Sequence, residues 1–554
     1  MKRFPCMHWY RNSIHSFIVH LVTSLTSKMK SILQVFVLYS ASFVTATNIS
    51  FTGGFNRVDC YTRTLDLIHN GSLPSNDEVF FRDNDGQAMS SPDTLTLTLP
   101  GCQQLCGQRA WYWDIGPRLS TWLIPILLLL GNIELSPLGK RRFMALIHLL
   151  GDPMDSMWSL LHKIDAWDHC YVLAKGHSGF SNDRRRVIAT VFAGFEEIYG
   201  PSITSVECFD SIATRSGVGQ EEKFREWRRT ALELADSRTD EFLRSRLAIL
   251  LYFYQVIAGF VKEVGGGNTS PPGGRIGTAM FISWLVTAVL LSNAIGGFTS
   301  RRTCFDILSR FNERTNNRFR MPPSYFESQS WSGAIYTFRP WKTRYITGET
   351  GRVRTALLLL LAVLPIWAGM TGGFIIIWYT LPNGFNCRHF WLIGIFVTWH
   401  LSAVLTWLSY TPKFTTGKYH WHFILVKDAA VAIPSIVVIF LSSCGLFNSC
   451  FCWSGFFYYR GRAHVPLNSD QFYQNNDRTI YPAVVTICLF FQCAVFFVVT
   501  VVWRKGLEIM RWSENARHQE WETARREHEA ARREHEETAR MFSHGWGWWS
   551  GCCL

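Results

Sequence analysis

In the apolar runs of the second half of the chain, His400 lies mid-span and the Lys427-Asp428 pair adjoins the start of another run. Inside five long apolar segments no Asp, Glu, Lys or Arg falls, and the Lys427-Asp428 pair sits at the entrance of one of them. Proton- or cation-coupled transporters place such groups at mid-depth, where burying a charge is costly and therefore serves a purpose. Their absence argues against coupled transport. His400, near Thr398, Ser402 and Thr406, is a candidate gate. Its surroundings fit better a histidine hydrogen-bonded between helices.

Three further patterns carry less chemistry than they suggest. His420 and His422 form a His-x-His pair, but no Cys or carboxylate follows at ligand spacing, so an interfacial cluster with Tyr419 and Trp421 is the better reading. Cys102 and Cys106 are four apart, a spacing open to metal chelation, but in an oxidising lumen disulfides to other partners are favoured. The glycine-rich "EVGGGNTSPPGGRIG" at 263–277 has no Gly-Lys-Ser/Thr and no preceding strand, so it is not a phosphate loop. Neither Gly-x-Ser-x-Gly nor His-Glu-x-x-His occurs. No catalytic, cofactor-binding or metal residue is expected, and the chain does not read as an enzyme.

Modification signals are more numerous. Asn48, Asn70 and Asn268 head Asn-x-Ser/Thr triplets, which are glycosylated only on the lumenal side of a secretory membrane. Cys60, Cys102, Cys106, Cys387, Cys450 and Cys452 are disulfide candidates whose pairing the sequence leaves open. Cys552 and Cys553 precede Leu554; the prenylation box needs Cys where Gly551 stands, which leaves palmitoylation.

These residues must be positioned by a membrane. The chain has 554 residues, 48% hydrophobic and only 18% charged, against about 25% charged in soluble chains. Its net charge of +13 follows from the bias of Lys and Arg toward cytoplasmic loops and does not imply nucleic acid. The segment from Met29 has a basic start, an apolar core over Ile32–Val44 and a small-residue end at Ala46, as a signal peptide does. Ile276–Phe298, Thr355–Tyr379, Phe390–Tyr410, Ala429–Leu446 and Ile480–Trp503 then read as spans, most reaching the ~20 residues a bilayer core demands. Trp122–Ile133, with Pro125, and Leu247–Val261, between Arg246 and Lys262, are short for a span. A surface helix is the other reading of each.

With both short segments spanning there are seven spans and residues 134–246 are cytoplasmic; with neither there are five. Either count leaves 263–277 lumenal, and the basic connection 299–354 agrees by lying inside. Basic clusters at Lys140–Arg142 and Arg244–Arg246 favour seven. Residues 134–246 read as helical, with "FMALIHLLGDPMDSMWSLLHKI" broken at Gly151-Asp152-Pro153 and "EEKFREWRRTALELADSRTDEFLRSR" amphipathic. The tail repeats a seven-residue unit over Thr523–Glu529 and Ala530–Glu536, with opposite charges at helical spacing and only Ala for a seam, so a solvated helix fits better than a coiled coil.

The blocks "RLSTWLIPILLLLGNIELSPLGKRRF", "GDPMDSMWSLLHKIDAW", "EVGGGNTSPPGGRIGTA" and "SNAIGGFTSRRTC" resemble an uncharacterised group of multispanning membrane proteins of filamentous fungi. The resemblance covers about residues 100–503 and implies a membrane location and no catalytic residues.

The expectation is an all-α multispanning helical membrane protein with about seven transmembrane helices and a charged C-terminal helix. Its regions are an extension and signal-like segment (1–46), a lumenal region (47–118), a short span (119–133), a cytoplasmic helical segment (134–246) and two spans with a lumenal loop (247–298). A basic cytoplasmic loop (299–354), a four-span domain (355–503) and a cytoplasmic helical tail (504–554) complete it. The location is the secretory pathway or plasma membrane, amino end lumenal or extracellular and carboxyl end cytoplasmic. The bilayer is the expected partner, with 134–246 and the C-terminal helix as protein-docking segments. A surface receptor, sensor or scaffold is the first functional expectation, and a channel or uncoupled transporter the alternative.

Overall fold

The computed structural model describes residues 56–72, 79–82, 95–106, 126–131, 133, 139–179, 181–199, 206–239, 242–258, 260, 272–295, 297–298, 301–316, 350–409, 420–443, 447–467 and 476–509, with 525–526, 529–533 and 536 of the tail. Helices dominate: α1 (Arg57–His69), α2 (Leu99–Cys106), α3 (Gly139–Gly151), α4 (Pro153–Ala174), α5 (Asn182–Tyr199), α6 (Val206–Arg215), α7 (Glu221–Asp236), α8 (Phe242–Ala258), α9 (Pro272–Ile282), α10 (Trp284–Ile295) and α11 (Arg301–Arg314). Then follow α12 (Thr350–Trp378), α13 (Cys387–Ser409), α14 (His420–Ser443), the short α15 (Cys450–Trp453) and α16 (Phe456–Tyr459), and α17 (Tyr481–Val502). The fold is all-α and multispanning.

Five helical stretches are long and apolar enough to cross a membrane: Gly273–Ile295, Val353–Trp378, Cys387–Ser409, Phe423–Ser442 and Arg478–Val502. Their outward faces carry large apolar side chains, among them Ile487, Phe490, Phe497 and Val501 of α17. A soluble surface does not carry such a belt; lipid covers it. The first stretch is interrupted at Ser283, whose N–H donates to Met280 O, so α9 and α10 form one broken span. Its α9 half lies so close to α12 that a Cβ at Gly373 would stand 2.8 Å from Gly277 O, the small-residue contact by which membrane helices pack. Gln492 of α17 adds a polar tie, donating to Pro365 O of α12 and accepting from Thr287 Oγ1 of α10.

At one end of the bundle stands a cap. Strand β1 (Phe81–Arg82) pairs antiparallel with β2 (Thr96–Thr98), and β2 with β5 (His464–Pro466), in the register Leu97 opposite Val465. Disulfides Cys60–Cys106, Cys102–Cys450 and Cys387–Cys452 tie α1, α2, α15 and the start of α13 together. The cap has its own small core around Phe81, Leu97, Trp453 and Val465.

At the other end, α3–α7 and α11 build a helical module whose core is continuous with that of the bundle. Trp227 of α7 lies edge-on to Phe311 of α11 at 5.1 Å between ring centres. The chain breaks at Gly151-Asp152-Pro153, as its sequence predicts. Asp152 caps α4, accepting from the Asp155 N–H at 3.1 Å. Residue 106 in the cap and residue 148 in the module thus lie at opposite ends of the bundle. The return runs from β3 (Arg238–Thr239), paired with β4 (Gly297–Phe298) beyond α10, through α8 to Gly273 beside Thr380 and Tyr481 near the cap. Along the way Tyr252 of α8 donates to Ala279 O of α9 at 2.6 Å.

Candidate functional site

Where α3 turns into α4, five ionisable side chains meet out of water. His148 is in the last turn of α3, Asp152 is the cap residue and Asp155 is in the first turn of α4. Lys427 and Asp428 come from α14. Lys427 Nζ donates to Asp152 Oδ2 at 2.8 Å, Ser402 Oγ at 2.6 Å and Thr406 Oγ1 at 2.7 Å, and lies 2.7 Å from Asp428 Oδ1. Thr406 Oγ1 also lies within bonding reach of Asp152 Oδ2. His148 Nδ1 is 2.7 Å from Asp428 Oδ2, and its Nε2 is 3.1 Å from Asp155 Oδ2. Asp152 is 0%, Asp428 1% and Lys427 5% exposed.

The backbone makes this meeting close. A Cβ on Gly151 would stand 2.4 Å from Asp428 O and 2.8 Å from Asp428 Cα, so only glycine lets α3 reach α14 at that depth. Trp399 of α13 donates its indole N–H to Leu150 O at 2.9 Å, taking up a carbonyl that the end of α3 leaves free. Buried charges persist only when paired and hydrogen-bonded; here Lys427, Asp152, Asp428 and His148 each face at least two partners, and Asp155 faces His148.

The electrostatics follow from that enclosure. Burial alone would lower the His148 pKa, but Asp428 and Asp155 push it up to about 10. Burial would raise that of Asp152, yet the charges of Lys427 and His148 hold it below the usual carboxylate value. Burial pushes the Asp155 carboxyl upward, the charge of Asp152 adding to it against the pull of His148. No protein-family model, curated protein or solved structure matches the chain.

Lys427 and Asp428 stand about one turn inside the start of the apolar stretch Phe423–Ser442, at the entrance of that span, where the pair meets Asp152 and His148 of the module. His400 stands apart from the cluster: its Nε2 accepts from the Trp367 indole at 3.1 Å and its Nδ1 lies 2.8 Å from Phe396 O. It is an interhelical histidine. Among the described residues no group of His, Cys, Asp and Glu is placed to hold a metal. Cys102 and Cys106 are each in a different disulfide, and the side chains of His420 and His422 lie outside the described residues. Asn70 is exposed in the turn after α1, whereas Asn48, Asn268, Cys552 and Cys553 lie outside the described residues.

A second ionic contact holds the other end of α4. Arg354 of α12 pairs with Asp165 and with Asp168, the latter at 2.9 Å, and the Trp503 indole donates to Asp165 Oδ1 at 2.8 Å. Sequence reasoning missed His148, Asp152, Asp155 and Asp165. The one available signal was an Asp-Pro-x-Asp break in an otherwise apolar helical run, and a cap explains that equally well.

Proposed function

We propose that the protein is a multi-pass membrane sensor or scaffold whose working element is the α3–α4 hairpin, docked on the bundle through a buried ionic joint. The observation that carries this reading is the position of the cluster. It lies where the hairpin meets the α13–α14 pair, inside one continuous core, and every charged member bonds across that contact or to a residue that does. A joint made of charges in low dielectric has two discrete states, made and broken, which is what a switch requires.

The topology that suits this function has seven crossings, with the cap lumenal or extracellular and the module and tail cytoplasmic. The cap's disulfides and the exposed Asn70 support that orientation. For α8 as a crossing, its outward face is an apolar stripe of Leu243, Leu247, Leu250, Tyr254 and Ile257, while Ala248, Ile249, Tyr252 and Val256 are buried. Lipid suits such a stripe and water does not. The second reading, a channel or uncoupled transporter, is favoured by one observation, the buried charged pair one turn into the apolar stretch of α14.

Spin labels at exposed Asp183 in the module and Arg460 in the cap, in the full chain in nanodiscs, test the sensor reading. Two distance populations are expected, with Lys427→Met shifting weight to the longer. A single narrow distance that Lys427→Met leaves unchanged contradicts it. Ion flux in sealed proteoliposomes that Lys427→Met abolishes supports the transporter instead.

A further inference from the structure

The cluster contains three carboxyl groups, Asp152, Asp155 and Asp428, against two basic side chains, Lys427 and His148. Buried in low dielectric, an uncompensated carboxylate is costly. Lys427 is committed to Asp152 and Asp428 on one side. On the other, both ring nitrogens of His148 face carboxyl oxygens, Nδ1 toward Asp428 and Nε2 toward Asp155. A neutral imidazole has one N–H only, so one of these contacts would set a nitrogen lone pair against an oxygen lone pair. A second proton removes that conflict, whether it resides on the ring or on the acid. The two acids come from different helices, Asp428 from α14 of the bundle and Asp155 from α4 of the hairpin.

We propose that His148, clasped by Asp428 and Asp155, is a proton-binding site whose occupancy latches the α3–α4 hairpin to the bundle, so that alkalinisation on the module side releases it. The proposal rests on the sensor reading for what the latch serves. The groups that face the ring, among the described residues, are Asp155 and Asp152 from α4 and Asp428 with Lys427 behind it from α14. From α13, Ser402 and Thr406 close the far side without charge. Nothing charged from α13 competes for the proton.

The sign follows from linkage. The docked pKa of His148 is raised from 6.5 to about 10. The contribution to docking is full below 6.5, where the released ring also holds its proton, and is lost progressively as pH rises through 10. Between those values the ratio of docked to released hairpin falls about tenfold per pH unit.

Amide hydrogen exchange over residues 144–160 of the full chain in nanodiscs, both faces at one pH and corrected for intrinsic rates, reads this ratio. Protection is expected to fall about tenfold per unit from about pH 7 to about pH 9. His148→Asn should abolish the slope. Asp428→Asn, which keeps the shape and removes the acid that faces the ring from α14, should shrink the total fall. A flat wild-type profile, or a slope that survives both substitutions, overturns the proton site. A sodium-dependent and pH-independent profile overturns it equally. Failure here while Lys427→Met still shifts the spin-label distance leaves the sensor reading standing; a steep slope with a single unchanging distance does the reverse.

Discussion

The two ends of the bundle are fastened by different chemistry. The cap has a core of its own, is held together by Cys60–Cys106, Cys102–Cys450 and the β2–β5 pairing, and is joined to the start of α13 by Cys387–Cys452. The module shares one continuous core with the bundle, yet its joint is ionic, with Lys427, Asp428 and Arg354 of the bundle meeting Asp152, His148, Asp165 and Asp168. A disulfide constrains the chain at every pH and yields only to reductant. A buried ion network depends on protonation and collapses when one member is lost. The difference teaches which end is a brace and which a latch.

The largest effect should come from breaking the latch outright. Lys427→Met leaves Asp152 and Asp428 buried with only His148 for compensation, and removing one partner of a buried pair costs about 3–5 kcal/mol. Thermal unfolding of the purified chain should show that loss, with Asp152→Asn in the same chain restoring part of it. Additive losses would mean the two residues are not coupled, and the latch would be misdrawn.

A smaller effect sharpens the steric side of the comparison. Gly151→Ala puts a methyl 2.4 Å from Asp428 O, a backbone atom that cannot rotate away. Overpacking of this kind costs about 1–3 kcal/mol, and exchange should rise over residues 144–160 while the cap stays protected. Unchanged exchange in the hairpin would show that α3 does not seat as closely as drawn.

Much of the bundle was legible in the sequence, because a bilayer imposes length and apolarity on each span separately. The expected Phe390–Tyr410 and Ile480–Trp503 coincide within a few residues with Cys387–Ser409 and Arg478–Val502. The six cysteines drew attention by type, but Cys102 and Cys450 are 348 residues apart, and no local pattern encodes that pairing. The latch was illegible for the same reason. Lys427 ended the apolar run of α14 as read from sequence, because its partner Asp152 is 275 residues away in a segment without membrane character.

The most direct test of the two-chemistry account is one exchange experiment on the full chain in nanodiscs, with reductant at neutral pH and, separately, at alkaline pH without it. The account predicts that reductant raises exchange in α1 and α2 and leaves residues 144–160 protected, and that alkali does the opposite. A hairpin that opens with reductant, or one that stays closed through alkaline pH, would contradict it.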